Sequence, residues 1–131
     1  VYLDHNATTA LRREVREVWL EALAGVAGNP SSVHRSGREA RARLDEARER
    51  CAAALGVHED EVLFTSGGTE SNNLALRGVL GAAGPGTGLV TSVVEHASVL
   101  ATAEALEREG HPVARVRVDA QALVDPTEVL A

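Results

Sequence analysis

Residues 64–73 read Phe64-Thr65-Ser66-Gly67-Gly68-Thr69-Glu70-Ser71-Asn72-Asn73, an apolar run that passes through two glycines into a hydroxyl- and acid-bearing helix start. At such a junction, the unpaired N–H groups of the first helical turn and the positive end of the helix dipole favour a bound anion. Glycine-rich turns also occur without a ligand, so the double glycine alone leaves open a tight turn that binds nothing.

The sequence around and after this stretch alternates predicted strands with predicted helices. The strands are predicted over residues 61–65, 89–94 and 113–118, and the last has one wet face because Arg115 and Arg117 alternate with apolar residues. The run from Leu89 shows little alternation, which is typical of a strand covered on both faces. The helices between them carry two apolar faces, Leu76, Val79, Leu80 and Ala83, then Val99, Ala103 and Leu106. The alternation predicts an α/β fold with parallel strands.

Two further helices are predicted upstream, after a short strand or extended entry at Val1-Tyr2-Leu3. The first has an apolar stripe formed by Val15, Val18, Trp19, Ala22, Leu23 and Val26. The second covers residues 37–55, with ion pairs Glu39/Arg43 and Glu46/Arg50, and with an apolar side formed by Ala40, Leu44, Ala47, Cys51, Ala54 and Leu55. At the other end of the chain, Asp125-Pro126-Thr127-Glu128 predicts the start of a last helix, and we expect the native chain to continue it.

Composition excludes several classes of function. The net charge of −6 argues against nucleic-acid binding, and no stretch is apolar for long enough to span a bilayer. The single cysteine, Cys51, rules out an intrachain disulfide and a cysteine-rich metal site. We predict that the protein binds no metal ion and that it is cytoplasmic. Because Cys51 is in register with an apolar stripe, we expect it to fill the core.

His96 is the second candidate site residue. It lies just past the carboxyl end of the strand predicted over residues 89–94, the edge at which ligands bind in open α/β sheets. His96 and the glycine turn are therefore expected to share one crevice. A single histidine after a strand is more often a polar loop residue, and the residues alone leave that interpretation open.

Four segments, residues 2–9, 28–34, 64–73 and 93–98, resemble in order the amino-terminal part of cysteine desulfurases of the NifS/IscS kind. These enzymes belong to the class-V aminotransferase family of pyridoxal-phosphate enzymes of fold type I. The resemblance implies that residues 1–131 comprise an amino-terminal segment and the incomplete first part of the cofactor-binding large domain, with a mostly parallel sheet flanked by helices.

The resemblance also implies a site and an activity. Gly68 and Thr69 would bind the phosphate of pyridoxal 5'-phosphate, and His96 would pack over its ring and take part in proton transfer. Such enzymes are homodimers that convert L-cysteine to L-alanine. They pass sulfur to an enzyme persulfide, and from there to an acceptor or scaffold protein for iron–sulfur cluster or thio-cofactor assembly. Cys51 is not expected to carry the persulfide.

All thirteen basic residues are arginine, so the chain lacks the lysine that binds the cofactor covalently. We therefore expect the chain alone to be inactive and the activity to belong to a longer protein. Two alternatives stay open at this point. One keeps the fold and cofactor but acts on selenocysteine or a related amino acid. The other is a non-catalytic α/β module that binds a phosphorylated ligand or a protein.

Overall fold

The computed structural model describes residues 1–5, 7–25 and 27–130, which fall into two units, Val1–Leu63 and Phe64–Ala131. The first unit contains helices α1 (Arg13–Gly25) and α2 (Arg35–Leu55) and a 3-10 turn (Glu59–Glu61). The second contains helix α3 (Gly68–Ala83), strand β1 (Leu89–Ser92), helix α4 (Ala97–Arg108), strand β2 (Val113–Val116) and helix α5 (Pro126–Leu130).

Helix α1 forms where its periodicity predicts it, but its apolar stripe is exposed. None of its residues is buried, and Trp19 retains 58% of its accessible surface. The predicted stripe member Val26 lies outside the described residues. The apolar spacing therefore predicted the helix correctly, but it did not show whether another element covers the apolar stripe.

Helix α2 begins at the N-cap His34, whose Nδ1 accepts a hydrogen bond from the Gly37 amide at 3.3 Å. It ends at Gly56, which has the left-handed φ of 71° typical of a glycine helix stop. The predicted Glu46–Arg50 pair forms at 3.9 Å. The Glu39–Arg43 pair was wrong, because Glu39 pairs with an arginine one turn earlier, Arg35, at 2.8 Å.

The prediction that Cys51 fills the core was wrong, because its side chain is exposed. The covered positions of α2 follow the spacing Gly37, Ala40, Leu44 and Ala52. Cys51 precedes Ala52 by one residue, which rotates it about 100° away around the helix. Ala47, Ala54 and Leu55, the remaining members of the predicted side, are exposed as well.

One of the three predicted strands, over residues 61–65, is absent from the described residues. Residues 62–65 follow the 3-10 turn and form no strand, and neither do residues 1–3, which were predicted as a short strand or an extended entry. The backbone groups of Val62 are used elsewhere: its N–H donates to the Glu59 carbonyl at 3.2 Å, and its carbonyl accepts from Arg48 Nε at 3.3 Å. A strand needs a ladder partner, and periodicity alone could not show that this one lacks it.

The two remaining strands pair in parallel, with Leu89 opposite Val113 and Ser92 opposite Val116. Helix α4 connects them, which confirms the predicted strand–helix–strand order and the α/β class. Both strands end earlier than predicted, β1 at Ser92 and β2 at Val116, and Val118 forms only an isolated antiparallel bridge with Val124.

Helices α3 and α4 pack together and supply most of the buried surface of the second unit. Leu80, Ala103 and Leu106 are at most 3% exposed, and Val116 of β2 is buried with them. Val79 and Ala83, predicted on the apolar face of α3, are exposed. Val90 of β1 is 49% exposed, so the expected cover on both faces of this strand is wrong for this chain. No helix within the described residues is long and apolar enough to cross a membrane.

Candidate functional site

The start of α3 carries a set of unused hydrogen-bond donors. Gly67 is the N-cap, so Gly68, Thr69 and Glu70 form the first helical turn. In the part of the chain that the structure describes, their amides donate to no carbonyl or side chain, and the Thr69 hydroxyl also has no partner. An ideal Cβ built on Gly67 or Gly68 would meet nothing within 4 Å. The main chain is therefore open to an anion at the positive end of the α3 dipole.

Glu70 closes the turn before this helix. Its Oε2 accepts from both the hydroxyl and the amide of Ser66, each at 2.6 Å. The Ser66 hydroxyl, and then its amide, lower the pKa of the Glu70 carboxyl. The donors of Ser66 are thus occupied by the Glu70 carboxylate, and the donors left for a ligand are the Gly68, Thr69 and Glu70 amides and the Thr69 hydroxyl.

His96 is the N-cap of α4, four residues after the end of β1, and its side chain is exposed. Its Nδ1 accepts from the Ser98 amide at 3.1 Å and lies 2.8 Å from Ser98 Oγ. His34 and His58 cap helical turns in the same way, so capping is the local structural role of three histidines. The cap uses only Nδ1 of His96, and its Nε2 has no partner among the described residues.

The two candidate segments lie at the same end of the second unit. Side-chain hydrogen bonds join α3 to α4 and to its C-cap Glu109: Asn72 Nδ2 to Ser98 Oγ at 2.8 Å, Thr102 Oγ1 to Asn73 Oδ1 at 2.9 Å, and Arg77 Nη1 to Glu109 Oε1 and Oε2 at 3.1 and 3.0 Å. The partners advance along both helices in the same direction, so the helices run parallel and their amino ends are neighbours. The structure therefore places the Gly68–Thr69 turn and His96 at one edge, beyond the carboxyl end of β1.

Other polar residues considered from the sequence are engaged in local structure. His5 Nδ1 lies 3.0 Å from Thr9 Oγ1. Asp119 accepts from the amides of Gln121 and Leu123 at 2.9 Å each. Asp125 caps α5, and the hydroxyl and then the amide of Thr127 lower the pKa of its carboxyl. The described residues contain no group of three or more His, Cys, Asp or Glu side chains suited to a metal ion.

The sequence did not indicate four residues that connect the two helices: Asn72, Asn73, Ser98 and Thr102. Ser98 and Thr102 are 8% and 3% exposed, and every buried side-chain polar atom in the described part of the chain has a partner. A signal was present, because Ser98 and Thr102 are four residues apart and share the covered side of α4 with Ala103 and Leu106. Polar residues on a buried helix face require partners on the neighbouring element.

A parallel strand–helix–strand unit, with free helix-start amides and a histidine at one edge, defines an α/β protein whose hydrogen-bond donors are open at that edge. The chain belongs to the aminotransferase class-V family, whose sequence profile matches residues 1–131. This agrees with the partial α/β fold and with the family resemblance of the four sequence segments.

The most similar relatives include named cysteine desulfurases. The chain is 48% identical over 130 residues to cysteine desulfurase IscS of Dictyoglomus turgidum, covering 98% of the chain and 33% of that relative. It is 42% identical over 130 residues to putative cysteine desulfurase IscS 1 of Bacillus subtilis, and the match covers 98% of this chain and 34% of that relative. The chain therefore spans about a third of the length of the curated relatives it matches.

Solved structures show the same likeness. A NifS-like protein superimposes with a TM-score of 0.87 at 37% identity, covering 98% of this chain and 36% of that one. SspA, solved in complex with cysteine, superimposes with a TM-score of 0.84 at 33% identity, and the match covers 98% of this chain and 37% of the SspA chain.

Proposed function

We propose that the chain is the amino-terminal third of a pyridoxal-phosphate-dependent cysteine desulfurase. The whole protein would convert L-cysteine to L-alanine and transfer the sulfur to an enzyme persulfide, for iron–sulfur cluster or thio-cofactor assembly. The observation that carries this proposal is the unused donor set at Gly68 and Thr69, in a chain of the class-V aminotransferase family that is 48% identical to a named desulfurase.

The organisation of the whole protein is part of the same proposal. Residues 1–63 would form an amino-terminal segment, and residues 64–131 the first part of the cofactor-binding domain. The whole protein would be a cytoplasmic homodimer that delivers sulfur to an acceptor or scaffold protein. The class-V aminotransferase family and the desulfurase names of the relatives support the assignment to a desulfurase, from which this organisation is proposed.

The residues at the start of α3 fit the phosphate of pyridoxal 5'-phosphate. The Gly68 and Thr69 amides and the Thr69 hydroxyl supply three donors, and the absence of a Cβ at Gly68 lets the main chain approach the anion. His96 is the candidate catalytic residue, because its free Nε2 belongs to the same edge. When bound, the cofactor supplies an electron sink for reactions of amino acids. The lysine that binds it covalently must come from outside residues 1–131.

The test compares the whole protein with its Thr69→Val variant. Losing a hydrogen bond to a charged group costs about 1.5–3 kcal/mol, so we expect the dissociation constant for pyridoxal phosphate to rise roughly tenfold to a hundredfold. Thr87→Val is the matched control, because Thr87 precedes β1 at the other end of α3 and its hydroxyl has no partner in the described chain. An unchanged dissociation constant for Thr69→Val would show that the phosphate is bound elsewhere.

The activity is tested with the same whole protein. Equal amounts of sulfide and alanine are expected from L-cysteine in the presence of a thiol reductant. Selenocysteine as a second substrate separates the proposed desulfurase from a selenocysteine lyase, which would turn over selenocysteine alone.

A further inference from the structure

The hydrogen bonds of His96 determine which ring nitrogen carries the proton. Nδ1 of His96 accepts a hydrogen bond from the Ser98 amide at 3.1 Å, and a backbone N–H can only donate. Nδ1 must therefore be the acceptor, and the neutral imidazole carries its proton on Nε2. The opposite tautomer would direct the Nδ1 proton against the Ser98 amide proton.

The Ser98 hydroxyl reinforces the same tautomer. Asn72 Nδ2 donates to Ser98 Oγ at 2.8 Å, so the single hydroxyl proton is left to point elsewhere. Its other close neighbour at the same distance is His96 Nδ1. Ser98 is only 8% exposed, so little solvent is available as an alternative partner. Asn72 thus orients Ser98, and Ser98 donates to His96 from both its amide and its hydroxyl.

A second set of bonds at the same interface holds the two helices in register. Asn73 Nδ2 donates to the Thr69 carbonyl at 3.0 Å, which leaves its Oδ1 to accept from Thr102 Oγ1 at 2.9 Å. The Thr102 hydroxyl also lies 2.7 Å from the Ser98 carbonyl and shares its single proton between these two acceptors. This set does not touch the imidazole of His96, which makes Thr102 a suitable control.

We propose that Asn72 and Ser98 are positioning residues that hold His96 as the neutral Nε2–H tautomer, so that His96 presents a hydrogen-bond donor to a ligand at this edge. The part of the inference that concerns the ligand rests on the proposed function, whereas the tautomer is a property of the protein alone.

The tautomer is measured in the whole protein, labelled with ¹⁵N-histidine and free of cofactor, at about pH 8.5, where imidazoles are in general neutral. Long-range ¹H–¹⁵N correlation distinguishes protonated from unprotonated ring nitrogens, and His96→Gln identifies the signals. We expect an unprotonated Nδ1 and a protonated Nε2. A predominant Nδ1–H form, or an equal mixture of the two tautomers, would overturn the inference.

Three variants test the two positioning residues. Ser98→Ala removes one donor to Nδ1, so the ratio of Nε2–H to Nδ1–H tautomers should fall roughly two- to tenfold, the effect of one hydrogen bond. Ser98→Thr keeps the hydroxyl and should retain the original ratio. Asn72→Asp introduces a carboxylate that only accepts, draws the Ser98 proton away from His96, and should lower the ratio as Ser98→Ala does.

The matched control is Thr102→Val, which removes a buried hydroxyl from the same helix without altering the contacts of His96. Its ratio should equal that of the unchanged protein. Equal ratios for Ser98→Ala and Thr102→Val would refute the role of Ser98. The tautomer measurement needs no cofactor, so the two proposals are tested separately. If the tautomer assignment fails, the conclusion from Thr69→Val is unaffected. If the Thr69→Val test fails, the tautomer assignment is unaffected.

Discussion

Gly37 lies in the first turn of α2, where the chain folds back closely on the preceding loop. An ideal Cβ at this position would overlap the Ser32 carbonyl oxygen and lie 2.7 Å from the Ser32 carbonyl carbon and Cβ. The oxygen belongs to the backbone, so it cannot move aside as the end of a flexible side chain can. Gly37→Ala therefore requires the loop or the helix start to shift, although alanine is otherwise the better helix residue.

We expect Gly37→Ala to lower the free energy of unfolding by about 2 kcal/mol. Forcing extra atoms into a filled site costs up to about 3 kcal/mol, and the helix propensity of alanine returns about 1 kcal/mol. Gly78→Ala in α3 is the matched control, because a Cβ there would meet nothing within 4 Å. This variant should be unchanged or more stable by up to about 1 kcal/mol.

The assay is urea unfolding followed by far-ultraviolet circular dichroism, with the two variants and the unchanged protein measured side by side. The same chemical substitution should therefore destabilise the protein at Gly37 and should not destabilise it at Gly78. A Gly37→Ala protein within about 0.5 kcal/mol of the unchanged protein, or more stable than it, would refute the close approach of Ser32 to the start of α2.

Two further predictions concern the chain's chemistry and its pH dependence. The purified 131-residue chain with pyridoxal phosphate should release sulfide from cysteine no faster than the free cofactor, because it has no lysine; a faster rate would contradict this. The hydrogen bonds from Ser66 lower the pKa of the Glu70 carboxyl. The stability that this carboxylate contributes is therefore fully present above the unfolded-state pKa of about 4.3, and it is lost as the pH falls through the lower folded-state pKa. Urea unfolding at several pH values should therefore show that the stability difference from Glu70→Gln shrinks below about pH 4.3, and a difference independent of pH would be the contrary result.

Local signals predicted most helices well. The double glycine before Thr69, the glycine after Leu55 and the Asp-Pro pair at residue 125 coincide with helix ends in the structure. Each depends on a few neighbouring backbone groups, such as the first-turn amides that need a cap, and such groups can be read from adjacent residues. The parallel pairing of β1 and β2 also followed from the order of elements.

Burial and strand pairing were harder to predict, because they depend on residues far away in sequence. Val62 has a strand-like environment in the sequence, but its carbonyl is bound by Arg48, fourteen residues earlier. Cys51 keeps the period of an apolar stripe, although the covered side of α2 is centred one residue away on Ala52. Periodicity shows which residues share a face, but the identity of the partner decides whether that face is covered.

The candidate site was predictable in part for the same reason. Gly68 and Thr69 were found because a helix start carries its chemistry in consecutive residues. The contacts of His96 with Ser98 were also local, but the partner that orients Ser98 is Asn72, twenty-six residues earlier. A single sequence gives no indication of which polar side chains of α3 and α4 meet, so the role of Asn72 appeared only in the structure.

The most direct measurement is a crystal structure of the whole protein with pyridoxal phosphate bound. We expect phosphate oxygens within about 3.2 Å of the Gly68 or Thr69 amide and of the Thr69 hydroxyl, with the imidazole of His96 beside the same ligand. A cofactor bound far from the start of α3, with these donors facing solvent, would contradict this expectation.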